Sequence, residues 1–585
     1  MLRTSRAIAS LLRSLTLGTA ATIATASLAV SVAGCKDESQ PDYWVDKLED
    51  KAWRARAITR LEQFYEDAIT KANKDESAPE VQALVGKIVD PLTKTYVDNY
   101  DTLDTKTRVS CIKLLASLKD KRTEPALKKA LEGFAAKPST NKDDADLKWA
   151  ARAAGDLKLD SLNEPLVQAF QKMKTSSMLG GITYRDLNEA MVKIKAKSWV
   201  QPLISMLEAE IVPPKGPKDK DKIDPYRDQL FWQTTSAQVL GELETPDAVE
   251  ALMKVMLDPA KADVQATAVL ALVKINKAAT ERAIKVLTGA DEKLTTFNLR
   301  RIKEVSGAKE APKDRPYVQT AALIIGTVGR AEGQAPLLEA LKSEEKETNK
   351  AVIAREITKL PATPEVKDAF KAAFEGMSLE TVIPPGANAL SSLAEFTGQF
   401  YDPTMIDWLL ERAEATKGGG EDKKALQGAI TVTAIKLAKP DQMATVKAAV
   451  EKYGTKLEKD LFADAEGVVN ACKEDVACYV KEMEKSANQD QKTQFKAIKA
   501  GYMVGILGNE STAGELVAAM SSFENAAVRF VAAQTIDRLL PKGSMELSEK
   551  LKAIVDKNAE SGDKDKIAGD APVKQVMYRI EARAH

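Results

Sequence analysis

Apolar residues recur every three or four positions along most of the chain, which is the spacing of one helical face. One such stripe is formed by Leu230, Thr234, Ala237, Leu240 and Gly241. A short break at Pro246 follows, and a second stripe begins, formed by Val249, Leu252, Met253 and Met256. The two stripes predict a pair of helices joined by a turn.

Prolines mark where such pairs repeat. Proline is tolerated in the first turn of a helix, where its missing N–H would have no partner. Eight prolines precede similar apolar segments, at intervals of 40, 37, 44, 90, 28, 39 and 37 residues: Pro125, Pro165, Pro202, Pro246, Pro336, Pro364, Pro403 and Pro440. The interval of 90 is two periods, because Asn276 to Leu287 fills the gap without a proline. Thr245, Thr363 and Asp402 precede three of these prolines and are predicted to cap the helices.

A helix pair repeated about every 40 residues predicts an α-solenoid, in which neighbouring pairs stack to form one continuous core. The first-helix pattern (apolar–x–x–Ala–x–x–x–Leu/Ile), the short turn with Pro or Asp and the second helix resemble HEAT repeats. The likeness runs from Tyr43 to about Leu551, over some ten to twelve units. The predicted class is therefore all-α, a HEAT- or armadillo-like solenoid over residues 43–585. An irregular helical domain is the alternative.

Two stretches interrupt the pattern near its C-terminal end. The sequence KGGGEDKK (Lys417 to Lys424) predicts a candidate hinge near 416–423, because glycine has high backbone freedom. The polar sequence ESGDKDKIAGDAPVKQ predicts a loosely ordered tail over residues 557–585.

The N-terminus has a different character. Arg3, Arg6 and Arg13 are followed by an uncharged segment that ends at Gly34, which is typical of a secretory signal peptide. The ending VAGC resembles the lipobox of bacterial lipoproteins. That resemblance implies that residues 1–34 are removed, that Cys35 is acylated, and that residues 35–42 form a tether. It also implies the outer rather than the inner membrane, because Lys36 stands where inner-membrane members often carry Asp. An uncleaved transmembrane helix is the alternative.

Charge balance and aromatic content argue against some classes of function. Without residues 1–34 the chain has 82 Lys plus Arg against 85 Asp plus Glu, a net charge of about −3. This balance gives no general basic character for binding nucleic acid. Aromatic residues make up only 5%, and the six tryptophans do not cluster in sequence, so they are interpreted as packing residues.

Catalytic motifs are sparse. The only histidine is His585, which makes a Ser-His-Asp triad, a Cys-His pair or a His-ligated zinc site implausible. No phosphate-binding G-x-x-x-x-G-K-[ST] loop occurs. No cofactor, metal or catalytic residue is predicted. Carboxylates are numerous, so a carboxylate-only enzyme, such as a glycan-active one, remains an alternative.

Two of the four cysteines are close in sequence. Six residues within one helix span about 9 Å, too far for a disulfide. If one helix ends near Cys472 and another begins near Ala477, the thiols of Cys472 and Cys478 can meet, and export favours their oxidation. Cys111 shares a helical face with leucines and is predicted to be a buried free thiol.

These observations favour a lipid-anchored scaffold or adaptor in the bacterial envelope, with a protein partner bound along the solenoid surface. The function class depends on analogy with other solenoids. A lipid or glycan carrier that uses the concave groove, a carboxylate-only enzyme, and a structural component without a specific partner are the alternatives.

Overall fold

The computed structural model describes residues 37–138, 145–174, 182–214, 216, 218–384, 386–416, 420–489 and 494–584. These residues form helices joined by turns and loops, with one antiparallel hairpin, β1 (Val382–Ile383) and β2 (Ala387–Asn388). The prediction of an all-α, solenoid-like fold is confirmed. The predicted leader (residues 1–34) and Cys35 lie outside the described residues.

The chain divides into two compact units, residues 1–91 and residues 92–585. The first unit contains α1 (Pro41–Lys47), α2 (Arg54–Lys71) and most of α3 (Pro79–Asn99). The boundary falls at Pro91, inside α3. Proline has no amide hydrogen, so this position lacks one bond of the helical ladder.

The predicted tether spans residues 35–42, of which the structure describes residues 37–42. Asp37 to Gln40 form a turn, in which the Gln40 amide donates to the Asp37 carbonyl at 2.9 Å. Pro41 and Asp42 already belong to α1. The composition of this stretch is polar, but proline at the first helical position starts the helix.

The second unit begins within α3 and continues through helices of 6 to 23 residues. Its N-terminal half contains α4 (Thr105–Ser117), α5 (Glu124–Ala136), α6 (Ala145–Leu157), α7 (Asn163–Lys172), α8 (Ile182–Ile194), α9 (Val200–Glu208), α10 (Lys220–Glu242), α11 (Val249–Leu257), α12 (Ala262–Ile275), α13 (Lys277–Leu287), α14 (Glu292–Ser306) and α15 (Tyr317–Val328). Its C-terminal half contains α16 (Gln334–Ser343), α17 (Glu347–Ile357), α18 (Pro364–Glu375), α19 (Ala389–Thr397), α20 (Met405–Ala415), α21 (Glu421–Leu437), α22 (Met443–Tyr453), α23 (Lys456–Cys472), α24 (Val476–Ser486), α25 (Gln494–Leu507), α26 (Glu510–Met520), α27 (Ala526–Leu539), α28 (Met545–Ser561), α29 (Lys564–Gly569) and α30 (Ala571–Ala584).

These helices pack in two layers. The first layer is the contacting series α4, α6, α8, α10, α12, α15, α17, α19, α21, α25, α27 and α30. Second-layer helices also contact each other, as in α5 with α7, α9 with α11, α16 with α18, and α24 with α26. Each layer is joined to the other through pairs such as α11 with α12 and α26 with α27. This alternation buries the apolar stripe of every helix between neighbours.

The proline prediction is confirmed. Each of the eight prolines lies within three residues of the start of an α-helix. Thr363 accepts a hydrogen bond from the Val366 amide at 3.3 Å, and Asp402 accepts one from the Thr404 amide at 2.9 Å. Thr245 makes no side-chain cap, so that expectation was wrong. Pro246 instead begins a single 3₁₀ turn before α11.

Close contacts between first-layer helices depend on glycine. A Cβ at Gly155 would lie 2.8 Å from the Ala190 Cα, and a Cβ at Gly241 would lie 2.7 Å from the Ala271 Cα. A glycine therefore faces an alanine of the neighbouring helix both where α6 meets α8 and where α10 meets α12. Without a side chain the two backbones approach each other more closely than any other residue allows.

The C-terminal helix differs most from the sequence prediction. Residues 557–585 were expected to form a loosely ordered tail, but α28 continues to Ser561 and α29 and α30 follow. On α30, Val573, Val576, Met577 and Ile580 recur at helical spacing and are buried. The charged residues between them hid this stripe. The candidate hinge near 416–423 lies partly outside the described residues, and α21 begins within it at Glu421.

Helix α30 packs against α27 and α28 and also against α12, some 300 residues earlier in the chain. The Asn276 side-chain amide donates to the Ala582 carbonyl at 3.1 Å, and the Lys274 Nζ lies 4.4 Å from the Tyr578 ring centroid. The series of first-layer helices from α12 to α30 therefore closes on itself. The uninterrupted concave groove expected of an open solenoid is absent from this part of the described chain.

We expect Gly241→Ala to destabilise the second unit, because the added methyl group would force α10 and α12 apart. Overpacking of this kind costs about 1–3 kcal/mol. The matched control is Gly467→Ala on α23, where a Cβ would meet no atom within 4 Å. Ala has the higher helix propensity, so the control should be neutral or slightly stabilising. Urea unfolding followed by circular dichroism measures both, and equal stabilities would contradict the close packing.

Candidate functional site

A cavity of about 350 Å³ lies where α30 meets the rest of the second unit. Helices α27 and α30 form one side, and the turns that follow α15, α17 and α19 form the other. We call it the closure cavity. The cavity exists because helices distant in sequence meet here. It is a candidate site because ligands usually bind in concave places with convergent polar groups.

Ion pairs between α27 and α30 form one wall of the closure cavity. The Asp537 carboxylate accepts from the Arg579 guanidinium at 3.1 Å and also pairs with Arg583. The Arg579 Nη2 also donates a hydrogen bond of 3.1 Å to the carbonyl of Lys359, which follows α17. Arg579 therefore links three segments: α27, α30 and the turn after α17.

Arg579 is almost completely buried, with 5% of its surface exposed. Its guanidinium lies against Gly329, whose φ of +75° and lack of a side chain leave room for the group. The Nε atom has no hydrogen-bond partner among the described residues. Burial lowers the pKa of Arg579, while the nearby Asp537 acts in the opposite direction.

Aromatic residues supply the apolar part of the lining. Phe530 on α27 is 43% exposed, so its ring is accessible from solvent. Tyr401 is buried, stacks on Tyr502 at 5.2 Å between centroids, and shares a hydrogen bond of 3.2 Å with Thr535. Tyr401 has a φ of +49°, a backbone conformation that is uncommon for a residue with a side chain. These contacts hold its ring in the interior.

The closure cavity is basic overall. Four basic side chains and one acidic side chain line it: Lys359, Arg538, Arg579 and Arg583, with Asp537. Arg538 is exposed. This arrangement suits an anionic group attached to an apolar one, because guanidinium groups bind carboxylates and ring faces bury apolar surface. A mechanism with two facing carboxylates lacks its second acid in this cavity.

A second cavity, of about 500 Å³, lies between α16, α17 and α18. Its floor is formed by alanines, and its charged residues include Lys342, Glu365 and Asp368. Lys342 and Glu365 form an ion pair at 3.1 Å, yet both side chains are more than half exposed. Exposed ion pairs of this kind contribute little free energy. The closure cavity is therefore the better candidate.

The cysteine predictions have different outcomes. Helix α23 ends at Cys472 and α24 begins at Val476, which brings Cys472 and Cys478 to disulfide distance with their Cα atoms 5.3 Å apart. Cys111 is a buried free thiol, as predicted, and burial raises its pKa. Cys35, the predicted lipidation site, lies outside the described residues.

Two lysines are also buried in the interior. Lys499 on α25 is fully buried and donates to the carbonyls of Lys436 and Ala438, at 3.1 and 2.5 Å, at the end of α21. Lys261 donates in the same way to the Leu207 and Ala209 carbonyls at the C-terminal end of α9. Burial lowers the pKa of Lys499 to about 7 and that of Lys261 to about 8. Both ammonium groups are enclosed by helix ends, so they act as C-caps.

The closure cavity was missed by sequence reasoning. Asp537 and Arg579 are 42 positions apart, and nothing in their spacing predicts that they pair. The available signal was the apolar spacing of α30. Within the described residues no group of three or more acidic, cysteine or histidine side chains is placed to hold a metal ion. In the same part of the chain, no helix combines the length and apolarity needed to cross a membrane.

The lowered pKa of Lys499 makes stability depend on pH. In the folded state this pKa is about 7, whereas an exposed lysine titrates near about 10.4. Between these values the unfolded chain binds more protons, so the free energy of unfolding contributed by Lys499 rises with pH. Relative to Lys499→Met, the natural chain should therefore gain stability from pH 7 to pH 10.

Urea unfolding of both chains across this range tests the expectation. Lys550→Met on α28, where the side chain is 57% exposed, is the control and should show no such trend. A constant stability difference between the natural chain and Lys499→Met would show that Lys499 is not buried as described.

Comparison of the sequence with protein-family models and with curated proteins finds no match. The function of the chain is therefore argued from its own residues.

Proposed function

We propose that the chain is a lipid-anchored envelope scaffold that binds an acidic segment of a protein partner at the closure cavity. The lining of this cavity carries the proposal: four basic side chains surround one acid, beside an exposed phenylalanine. Aromatic and arginine residues dominate the energetics of protein interfaces. Opposite charge at the rim speeds the encounter and selects the partner.

The closed series of helices favours this cavity, rather than the whole concave surface, as the binding site. Contacts such as Tyr401 with Thr535 cross the interior between α19 and α27. A continuous apolar channel for a lipid or glycan chain is less compatible with these contacts than a local site at one edge.

The proposed anchor is Cys35. The supporting features are the basic N-terminus, the uncharged segment and the VAGC sequence. Each buried methylene contributes about 0.8 kcal/mol, so several acyl chains hold a protein stably in a bilayer. The outer membrane is proposed over the inner, on the basis of Lys36.

A photo-crosslinking residue at Phe530 in the full chain tests the partner proposal in intact cells. We expect an adduct with one protein, joined at an acidic segment. Arg538→Glu in the same chain should reduce the adduct by about tenfold, because like charges repel at the rim.

Two controls match these changes. A crosslinking residue at Leu457, which is 61% exposed on α23, should not give the same adduct. Arg300→Glu, at an exposed position of α14, should leave the Phe530 adduct unchanged. An adduct with lipid or glycan, or one insensitive to Arg538→Glu, would contradict the proposal.

Cys35→Ala tests the anchor separately. The variant should lose acyl labelling and migrate more slowly, since the leader is retained. Cys111→Ala, at a buried free thiol, should keep the label. Detergent-phase partitioning with a clickable palmitate measures both variants. Unchanged labelling and mobility of Cys35→Ala would show that the chain is not a lipoprotein.

A further inference from the structure

The described part of the chain begins two residues after Cys35. Asp37 is the first described residue, and the Trp44 indole Nε1 donates to the Glu38 carbonyl at 2.7 Å. Trp44 is 1% exposed, so this bond fixes the turn to the body of the first unit. Two residues of extended chain reach at most about 7 Å. An acyl group on Cys35 would therefore hold α1 and the start of α2 at the bilayer surface.

This end of the first unit carries a cluster of aromatic and basic side chains, which we call the interfacial cluster: Tyr43, Trp44, Lys47, Trp53, Arg56, Arg60 and Phe64. The Arg56 guanidinium lies 5.4 Å from the Trp44 ring and 5.3 Å from the Trp53 ring. Lys47 lies 5.4 Å from the Trp53 ring, and Arg60 lies 5.7 Å from the Trp44 ring. The two indole rings are 6.5 Å apart.

The sequence spacing of the tryptophans predicts separate packing residues. Trp44 fits that interpretation, but Trp53 is only half-buried and Arg56 is exposed. Arg56 makes no hydrogen bond or ion pair with any residue that the structure describes. A guanidinium stacked on a ring keeps its N–H donors in the plane of the group, where they bind phosphate oxygens.

We propose that the interfacial cluster docks on phospholipid headgroups, so that the first unit lies against the bilayer. Trp and Tyr favour the membrane–water boundary, where the ring is half in apolar surroundings. Arg and Lys extend from the same level to the phosphates. This proposal rests on the proposed anchor at Cys35 only for the position of the cluster near the bilayer. The binding of headgroups by the cluster does not depend on acylation.

Net charge does not drive this docking. Residues 41–64 carry five basic and five acidic side chains. One of the acids, Asp42, pairs with Lys87 at 3.2 Å. The attraction comes from the arrangement of cations over aromatic rings on one surface. We therefore expect binding that weakens, without vanishing, as salt is added.

Vesicle flotation of the unacylated chain from Lys36 to His585 tests the proposal. This chain contains every residue that the structure describes, and the vesicles contain phosphatidylethanolamine and phosphatidylglycerol. We expect a fraction of the protein to float with the vesicles. Arg56→Gln should lower the partition coefficient by about fivefold, the effect of one basic residue near an anionic surface. Trp53→Ala should also lower it.

The control is Arg300→Gln. Arg300 is 62% exposed and lies 5.7 Å from the Phe297 ring, so it repeats the cation–ring pair far from the cluster in sequence. It should leave flotation unchanged. Thermal unfolding verifies that each variant is folded. No flotation, or an equal loss from Arg56→Gln and Arg300→Gln, would overturn the proposal.

The acylation test and the flotation test fail independently. The floated chain has no acyl group, so a negative Cys35→Ala experiment leaves its outcome unaffected. Loss of flotation in Arg56→Gln with intact acyl labelling of the full chain would support both proposals.

Discussion

Ion pairs that join α27 to α30, and to Asp570 just before it, are the interaction on which the closed form of the second unit depends. Arg529 pairs with Asp570, with 1% and 2% of the two side chains exposed. About two helical turns further along α27, Asp537 pairs with Arg579 and Arg583. Removal of one partner would leave a buried charge without compensation, which costs about 3–5 kcal/mol. The pairs therefore hold α30 in one orientation against α27.

Closure of the series of helices determines which side chains meet in the interior. Because α30 reaches α12, side chains from helices far apart in the series meet, as in the contact between Arg579 and the Lys359 carbonyl. An open solenoid offers a long concave face. This unit offers instead a bounded cavity with a basic lining, the closure cavity. The proposed partner is accordingly a short acidic segment rather than an extended chain laid along the whole surface.

Much of the fold followed from the sequence because the signals are local. Pro364 marks the start of a helix through its fixed φ, and the apolar stripe around Leu252 marks a buried helix face. The helices and their layers were therefore predictable. The pairing of Asp537 with Arg579 was not, because it depends on how far the stacked helices curve, a quantity that no local spacing encodes. The interfacial cluster was missed for a different reason: Trp44 and Trp53 lie in different segments, and their rings meet only once α1 folds back on α2.

Native-state hydrogen exchange of α30 tests the closure most directly, since it needs no substitution. If Ala571–Ala584 is packed on α12 and α27 as described, its central amides should exchange as slowly as those of Ala526–Leu539. Exchange of the whole of α30 at the rate of an unfolded peptide, with α27 still protected, would mean that the series of helices is open and that the closure cavity does not form.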